Sequence, residues 1–121
     1  MNSTLSTAGR VLFALPLLGF GFGHFTNASA MSGMVPLPGE IIWVYITGTA
    51  LIAAAVSVII QKKAGLATLL LGIMLLIFVA AVHVPNMTSS DPNLQMMGMT
   101  NTFKDVGLAG ASFFMSGNFK N

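Results

Sequence analysis

The residues of this chain that could do chemistry are few, and three of them fall together near its end. Asn101, Lys104 and Asp105 are spaced at i, i+3 and i+4, which places them on one stripe of a helix with Leu108 and Ser112. An ammonium, a carboxylate and an amide on one stripe can hydrogen-bond a polar ligand and exchange protons. Charges in an apolar membrane segment cost about 3 kcal/mol each, so we expect these to face the interior and to be paired.

The two histidines and an acid stand at the ends of other apolar runs. His24 and His83 each end such a run, and Glu40 opens a third, with Trp43 one turn further on. Imidazole titrates near neutral pH, and an indole ring can stack on a flat ligand. Simpler roles also fit: Glu40 favours a helix N-terminus, and Trp43 and the histidines suit a membrane–water interface. The candidate ligand-binding or interior polar site comprises His24, Glu40, Trp43, His83, Asn101, Lys104 and Asp105.

Long apolar runs must position these side chains. Of the 121 residues 55% are hydrophobic and only 7% are charged, which indicates an integral membrane protein of one domain, residues 1–121. Residues 41–60 and 64–82 hold no charge and are long enough to cross a bilayer. The sequence predicts an all-α, four-helix transmembrane bundle with helices at about 8–27, 40–60, 64–84 and 95–117. An interfacial helix is the alternative for the last, more polar segment.

The basic residues indicate how such a bundle would lie in the membrane. With four antiparallel spans in up-down-up-down order, all the basic residues outside the spans fall on one side, which predicts cytoplasmic termini and a cytoplasmic turn at 61–63. These residues are Arg10, Lys62, Lys63 and Lys120. The first run, ending at Ala28-Ser29-Ala30, also resembles a secretory signal peptide with its cleavage site.

Alternating helices would bring an ionisable group from each helix to the same, outer half of the bundle. Lys104 and Asp105 are adjacent and point about 100° apart on a helix, so we expect them not to neutralise each other. Lys104 is expected to pair with Glu40, and Asp105 with a histidine or Asn101.

Several kinds of chemistry receive little support. The chain has no cysteine, which excludes thiol catalysis, and no basic patch that would indicate a nucleic-acid partner. No nucleophile stands beside a base, so no catalytic residue and no metal site are assigned. Haem ligation by His24 and His83 is geometrically conceivable but not favoured. A Cu(I) site formed by the methionine cluster Met96, Met97 and Met99 is equally weakly supported.

The stretch GFGFGHF, residues 19–25, places three glycines in the first apolar run. Its spacing does not match a dinucleotide-binding loop. Gly19 and Gly23 lie one turn apart, and we expect them to form a smooth face for a neighbouring helix, as we do for Gly107 and Gly110. Gly21 lies below His24, and the space it leaves is expected to hold either a helix or a ligand.

In their order and placement, these features resemble the DoxX-like family of small four-helix membrane proteins. The resemblance covers about residues 9–114 through short motifs: Gly9-Arg10, Gly23-His24-Phe25, Glu40 after Pro-Gly, His83-Val84-Pro85-Asn86, and Asn101-Thr102-Phe103-Lys104-Asp105.

The resemblance implies a multi-pass protein of the bacterial cytoplasmic membrane. One member is a subunit of a quinone-linked oxidoreductase acting on thiosulfate, and others belong to oxidative-stress complexes. It therefore implies an accessory subunit of a redox or oxidative-stress system rather than a self-sufficient enzyme, with a quinone or another apolar ligand in the outer half of the bundle. The alternative is a non-catalytic assembly subunit of a larger membrane complex or a homo-oligomer. A transporter or channel is less favoured because no inverted repeat is visible.

Overall fold

The computed structural model describes residues 3–119, and all regular structure within them is helical, as predicted. The elements are α1 (Ser3–Thr26), α2 (Ala28–Ser32), α3 (Glu40–Ile60), α4 (Ala64–Phe78), a π-helical segment (Val79–His83), α5 (Val84–Met87) and α6 (Pro92–Asn118). The three apolar helices predicted from the sequence are present, although α1 begins earlier than expected, and α6 covers the fourth predicted segment. Lys120, used above to predict the orientation, lies outside the described residues.

Three stretches of the described chain are long and apolar enough to cross a membrane: α1, α3 and the continuous run Ala64–Met87. Their outward faces carry large apolar side chains, such as Leu12 at 68% exposed and Ile77 at 57%. A water-soluble monomer rarely shows so much contiguous apolar surface, so these faces indicate contact with lipid. The α6 helix is not among the three.

Helices α1 and α3 pack antiparallel, with contacts near both of their ends. Where α1 begins, the Arg10 guanidinium donates to the carbonyl oxygen of Val58 at 3.1 Å, in the last turn of α3. Near the other end of α1, a Cβ on Gly21 would lie 3.0 Å from the carbonyl oxygen of Gly48. The two backbones therefore approach closely because both residues lack a side chain.

Helices α4 and α6 form a second antiparallel pair. The Ser116 hydroxyl, near the end of α6, donates to the carbonyl oxygen of Gly65 in the first turn of α4 at 2.8 Å. One turn further in, the Phe113 ring lies against Gly72, where a Cβ would come within 2.6 Å of it. This contact sets the spacing of the pair along α4.

Small and branched apolar residues from all four long helices fill a common core. Alanines are numerous there, which allows the helix axes to lie close together. The buried cluster is Ala14, Leu17, Leu51, Ala54, Ala55, Val58, Leu71, Leu75 and Ala109. This core fixes the rotation of each helix and so determines which polar side chains can meet.

The connections differ in part from those expected. Residues 28–39 were expected to be a loop, but their first part forms α2, whose Ala28 is buried. The α6 helix begins at Pro92, because the Asp91 side chain caps it by accepting from the Asn93 N–H at 2.9 Å. An Asp-Pro pair is a helix start signal that the sequence analysis did not use.

The turn between α3 and α4 is tight, as predicted, and two of its three residues are left-handed. Gln61 has φ 58° and Lys63 has φ 54°, conformations in which glycine would be free of strain. Lys62 lies between them, and both lysines are exposed. We call the end of the molecule marked by Arg10, Lys62 and Lys63 the basic end.

Candidate functional site

Asp105 is the most buried ionisable group in the described chain, with its side chain 4% exposed. It lies on the inward face of α6, together with Gly98, Ala109 and Ser112. These positions follow the helical repeat, so the face that the charge stripe predicted to be interior does turn inward for Asp105 and Ser112. A buried carboxylate requires partners, since its desolvation is costly.

The first partner is His83. Its Nε2 lies 2.8 Å from the Asp105 Oδ2, and its side chain is 14% exposed. The expectation that Asp105 pairs with a histidine is therefore met by His83. An ionised carboxylate can only accept, so Nε2 carries the hydrogen, and in the neutral imidazole Nδ1 is then the acceptor.

A local change of helix type directs His83 toward α6. At the end of the π-helical segment the Val84 N–H donates to the Val79 carbonyl, five residues back. Pro85 follows, and it cannot donate to the carbonyl four residues before it. The wider turn rotates His83 relative to a continued α-helix. Segments of this kind recur at functional sites.

Gly98 lets the backbone around His83 come close to α6. A Cβ at Gly98 would lie 2.5 Å from the Met87 nitrogen and 2.7 Å from the His83 carbonyl oxygen. Both are backbone atoms, so no side-chain rotation could relieve the clash. The absence of a side chain at Gly98 is thus a condition for the contact between His83 and Asp105.

The second partner of Asp105 is its neighbour in sequence. Lys104 Nζ lies 3.5 Å from the Asp105 Oδ1, and the Lys104 side chain is 35% exposed. The same ammonium lies over the Phe20 ring of α1, 4.2 Å from its centroid. This cation–π contact has the usual geometry, and it joins α1 to α6.

Two expectations about Lys104 are wrong. It does neutralise its neighbour Asp105, because the long lysine side chain bends back across the 100° between their Cα–Cβ directions. It does not pair with Glu40: no ion pair within residues 3–119 joins them, and Glu40 is an exposed residue at the start of α3. We call His83, Lys104 and Asp105 the polar cluster.

Two side-chain atoms, one in the cluster and one beside it, are buried and have no hydrogen-bond partner within residues 3–119. They are His83 Nδ1 and Thr102 Oγ1. Thr102 lies one turn before Asp105 on α6. Buried polar atoms are usually paired, so His83 Nδ1 is an acceptor with capacity to spare.

The remaining candidates do not join the polar cluster by any hydrogen bond or ion pair in the described part of the chain. His24 Nδ1 bonds the Phe20 carbonyl oxygen of its own helix at 2.6 Å. Trp43 is 41% exposed, and its Nε1 donates to the Pro38 carbonyl oxygen at 2.9 Å. Asn101 lines a groove with Asn93, Met96, Met97 and Thr100, on the outward side of α6.

The glycines divide into two groups. Gly21 meets α3, since a Cβ there would lie 2.5 Å from Ile52 Cγ1, so the space below His24 holds a helix. Gly19 and Gly23 do not form the expected face for a helix of this chain. Gly19 has nothing within 4 Å of an added Cβ, and Gly23 has only its own helix's Asn27. Gly107 and Gly110 likewise face open space.

Sequence reasoning did not find Phe20, Thr102 or Gly98. Gly98 had a usable signal, since a glycine inside a helix often marks a close approach. Phe20 and Thr102 had none, because an aromatic residue and a threonine are ordinary in an apolar helix. Their importance comes only from which helix each one faces.

Chemically, the cluster is a row of three groups, from a part-exposed ammonium through a buried carboxylate to a partly buried imidazole. Asp105 accepts a hydrogen bond from His83 and forms an ion pair with Lys104, so the row can hold a hydrogen-bonding ligand at Lys104 and move a proton between its members. Comparison of the chain with protein-family models, curated proteins and solved structures finds no match.

Proposed function

We propose that this chain is a DoxX-like integral membrane protein: a small subunit of a quinone-linked redox or oxidative-stress system in the bacterial cytoplasmic membrane. One observation carries the proposal. The row Lys104–Asp105–His83 joins a part-exposed cation to a partly buried imidazole through a buried carboxylate, within a largely apolar chain. That combination suits a ligand that arrives through lipid and presents a polar carbonyl.

Lys104 is the group that would meet the ligand. Its ammonium carries three N–H donors. It forms an ion pair with the Asp105 carboxylate and lies over the Phe20 ring. A remaining donor can bind the carbonyl oxygen of a quinone, and the Phe20 ring offers a flat apolar surface beside it. Asp105 holds the ammonium in place.

His83 and Asp105 would supply a proton to the bound quinone. Reduction of a quinone to the quinol adds two electrons and two protons. In this proposal a partner redox subunit supplies both electrons, the polar cluster delivers one proton to the oxygen that Lys104 holds, and water supplies the second proton to the other oxygen. His83 suits the end of the row, because an imidazole ring can donate a hydrogen bond from one nitrogen and accept one at the other.

A fourth membrane crossing by α6 is part of the proposal. Two contacts support it: Ser116 of α6 reaches the start of α4, and Asp105 reaches His83 beyond the end of α4. A helix that packs along a membrane-crossing stretch from one end to the other lies at the same depth in the bilayer as that stretch. The charges of Lys104 and Asp105 are then acceptable because they are paired inside the bundle.

Cysteine labelling tests the crossing and the orientation, since the chain has no cysteine of its own. We expect Ser90→Cys to react with a membrane-impermeant maleimide on intact cells. Lys63→Cys and Asn118→Cys should react only after permeabilisation. Labelling of Asn118→Cys together with Ser90→Cys would show that α6 does not cross.

Quinone binding tests the site. A short-chain ubiquinone analogue should raise the midpoint of thermal unfolding of the purified native chain and of Lys62→Gln, but not of Lys104→Gln. These two variants remove the same charge, one inside the polar cluster and one in the exposed turn. Because Lys104→Gln could also lower stability, Phe20→Leu is a second variant, and it should weaken binding while leaving the ion pair. An equal shift in all four proteins, or none in the native chain, would contradict the proposal.

The second candidate function is an assembly subunit, and the outward glycines favour it. Gly107 and Gly110 leave open space on the lipid-facing side of α6, and small residues in such a position are typical of helix–helix contacts in membranes. Gly110→Leu should then disrupt a complex isolated in mild detergent, while Gly9→Leu should leave it intact. A chain that runs as a monomer before and after either change would speak against this function.

A further inference from the structure

The basic end of the molecule holds cations without any acidic residue nearby. The whole chain has only three acids, Glu40, Asp91 and Asp105. Glu40 begins α3 and Asp91 caps α6, both at the end remote from the turn, while Asp105 is held in the polar cluster. Since α3 has 21 residues, Glu40 lies about 30 Å from the turn at 1.5 Å per residue.

Arg10 is held in a fixed position at this end. Its guanidinium donates to the carbonyl oxygens of Val58 and Ile59 at 3.1 and 3.3 Å, and to the Thr7 hydroxyl at 3.1 Å. With the Gln61 amide turned so that its oxygen faces Arg10, that oxygen also accepts from the guanidinium at 3.0 Å. These partners are dipoles, so they orient the cation without cancelling its charge.

Lys62 and Lys63 add two more cations beside Gln61. Both are exposed, and no ion pair within residues 3–119 involves either of them. The left-handed backbone at Gln61 and Lys63 makes the turn tight, so both lysines emerge where two apolar helices end. Three positive charges thus stand at the point where a helical hairpin leaves the apolar part of the membrane.

We infer that the basic end binds the headgroup of an anionic phospholipid. The argument is charge complementarity: no acidic side chain within residues 3–119 lies at this end, and at this depth the available anions are lipid phosphates. Basic residues beside membrane helices are attracted to anionic lipid surfaces. A zwitterionic headgroup carries its own cation, so the site should prefer phosphatidylglycerol to phosphatidylcholine. This inference does not depend on quinone binding.

The test compares lipids and charge-matched variants of the full chain in detergent micelles. Phosphatidylglycerol should raise the midpoint of thermal unfolding of the native chain more than phosphatidylcholine does. Lys62→Gln/Lys63→Gln should lose most of this difference, and Lys62→Arg/Lys63→Arg should keep it. Glutamine is a suitable replacement, because Gln61 already adopts the left-handed conformation in the same turn.

Two further measurements distinguish a lipid headgroup from a free anion. Added sodium chloride should reduce the difference between the lipids, as screening requires, and inorganic phosphate should not reproduce it. Equal shifts with both lipids, or an unchanged difference in the glutamine variant, would overturn the inference. An equal effect of inorganic phosphate would also overturn it, since the site would then take a free anion.

Discussion

The basic end and the polar cluster satisfy their charges in opposite ways. At the basic end, Arg10 donates to backbone carbonyls in the last turn of α3, and the lysines face outward. In the polar cluster, each charged group meets a side chain, and Asp105 is almost fully buried.

The difference lies in what can replace a lost partner. The Ile59 carbonyl, in the exposed last turn of α3, can be hydrated when Arg10 is removed. Water does not reach Asp105 so easily, so removal of one member of the cluster leaves the others with a desolvation cost. The cluster should therefore tolerate substitution far less than the basic end does, and four measurements can break or sharpen that comparison.

The largest effect is expected for Asp105→Ala. It removes the acceptor of both His83 and Lys104, and we expect the free energy of unfolding to fall by about 3 kcal/mol, the lower range for breaking a buried pair. Unfolding in mixed micelles with increasing denaturing detergent measures it. The control is Asp91→Ala, which removes an exposed helix cap and should cost about 1 kcal/mol. Equal losses would mean that the cluster is no more sensitive than a surface cap.

Gly98→Ala should be next, with a loss of about 2 kcal/mol from overpacking. The added Cβ would meet backbone atoms of the segment that carries His83 at 2.5–2.8 Å, so α5 and α6 must separate. The matched control is Gly110→Ala, which meets nothing within 4 Å and should gain up to about 1 kcal/mol from helix propensity. Similar changes in the free energy of unfolding for Gly98→Ala and Gly110→Ala would show that α5 can move away from α6 without loss of stability.

At the basic end, Arg10→Gln should lower the free energy of unfolding by about 1 kcal/mol, through loss of hydrogen bonds and of the favourable charge at a helix C-terminus. The same unfolding assay applies, with Lys62→Gln as a control that should leave stability unchanged. A loss as large as that of Asp105→Ala would remove the contrast between the two regions.

The smallest effect is expected for Ser116→Ala, which deletes one hydrogen bond between α6 and α4. Such bonds between membrane helices contribute about 0.6 kcal/mol on average. Asn118→Ala is the control, because the Asn118 side chain bonds only within α6. If Ser116→Ala lost as much free energy of unfolding as Asp105→Ala, the contrast between this end of the molecule and the polar cluster would disappear.

Part of the candidate site could be predicted because helical spacing is a local property. The interior position of Asp105 and Ser112 follows from the charge stripe. The bounds of α3 follow from Glu40 after a Pro-Gly pair, the uncharged run 41–60 and the Gln-Lys-Lys turn. The pairing of Asp105 with a histidine was also within reach, since burial of a carboxylate demands a partner.

Other parts depend on how far one helix is rotated against another. His24 and His83 both end an apolar run, yet the π-helical segment and Gly98 bring only His83 to Asp105. Lys104 was expected to pair with Glu40 because both residues were placed in the outer half of the bundle. Its long side chain instead reaches Asp105, its neighbour in sequence. Gly19 and Gly21 differ only in the direction that each one faces.

The sequence by itself determined that the chain is helical and rich in membrane-length apolar segments, because composition and periodicity are set by the order of residues along one helix. It also determined that the few charges on α6 must find partners. The tertiary structure decided which partners they find, which glycines lie in a helix contact, and that Phe20 lies beneath the Lys104 ammonium. Those outcomes depend on the relative rotation and spacing of helices, which a packed core fixes and a local pattern does not.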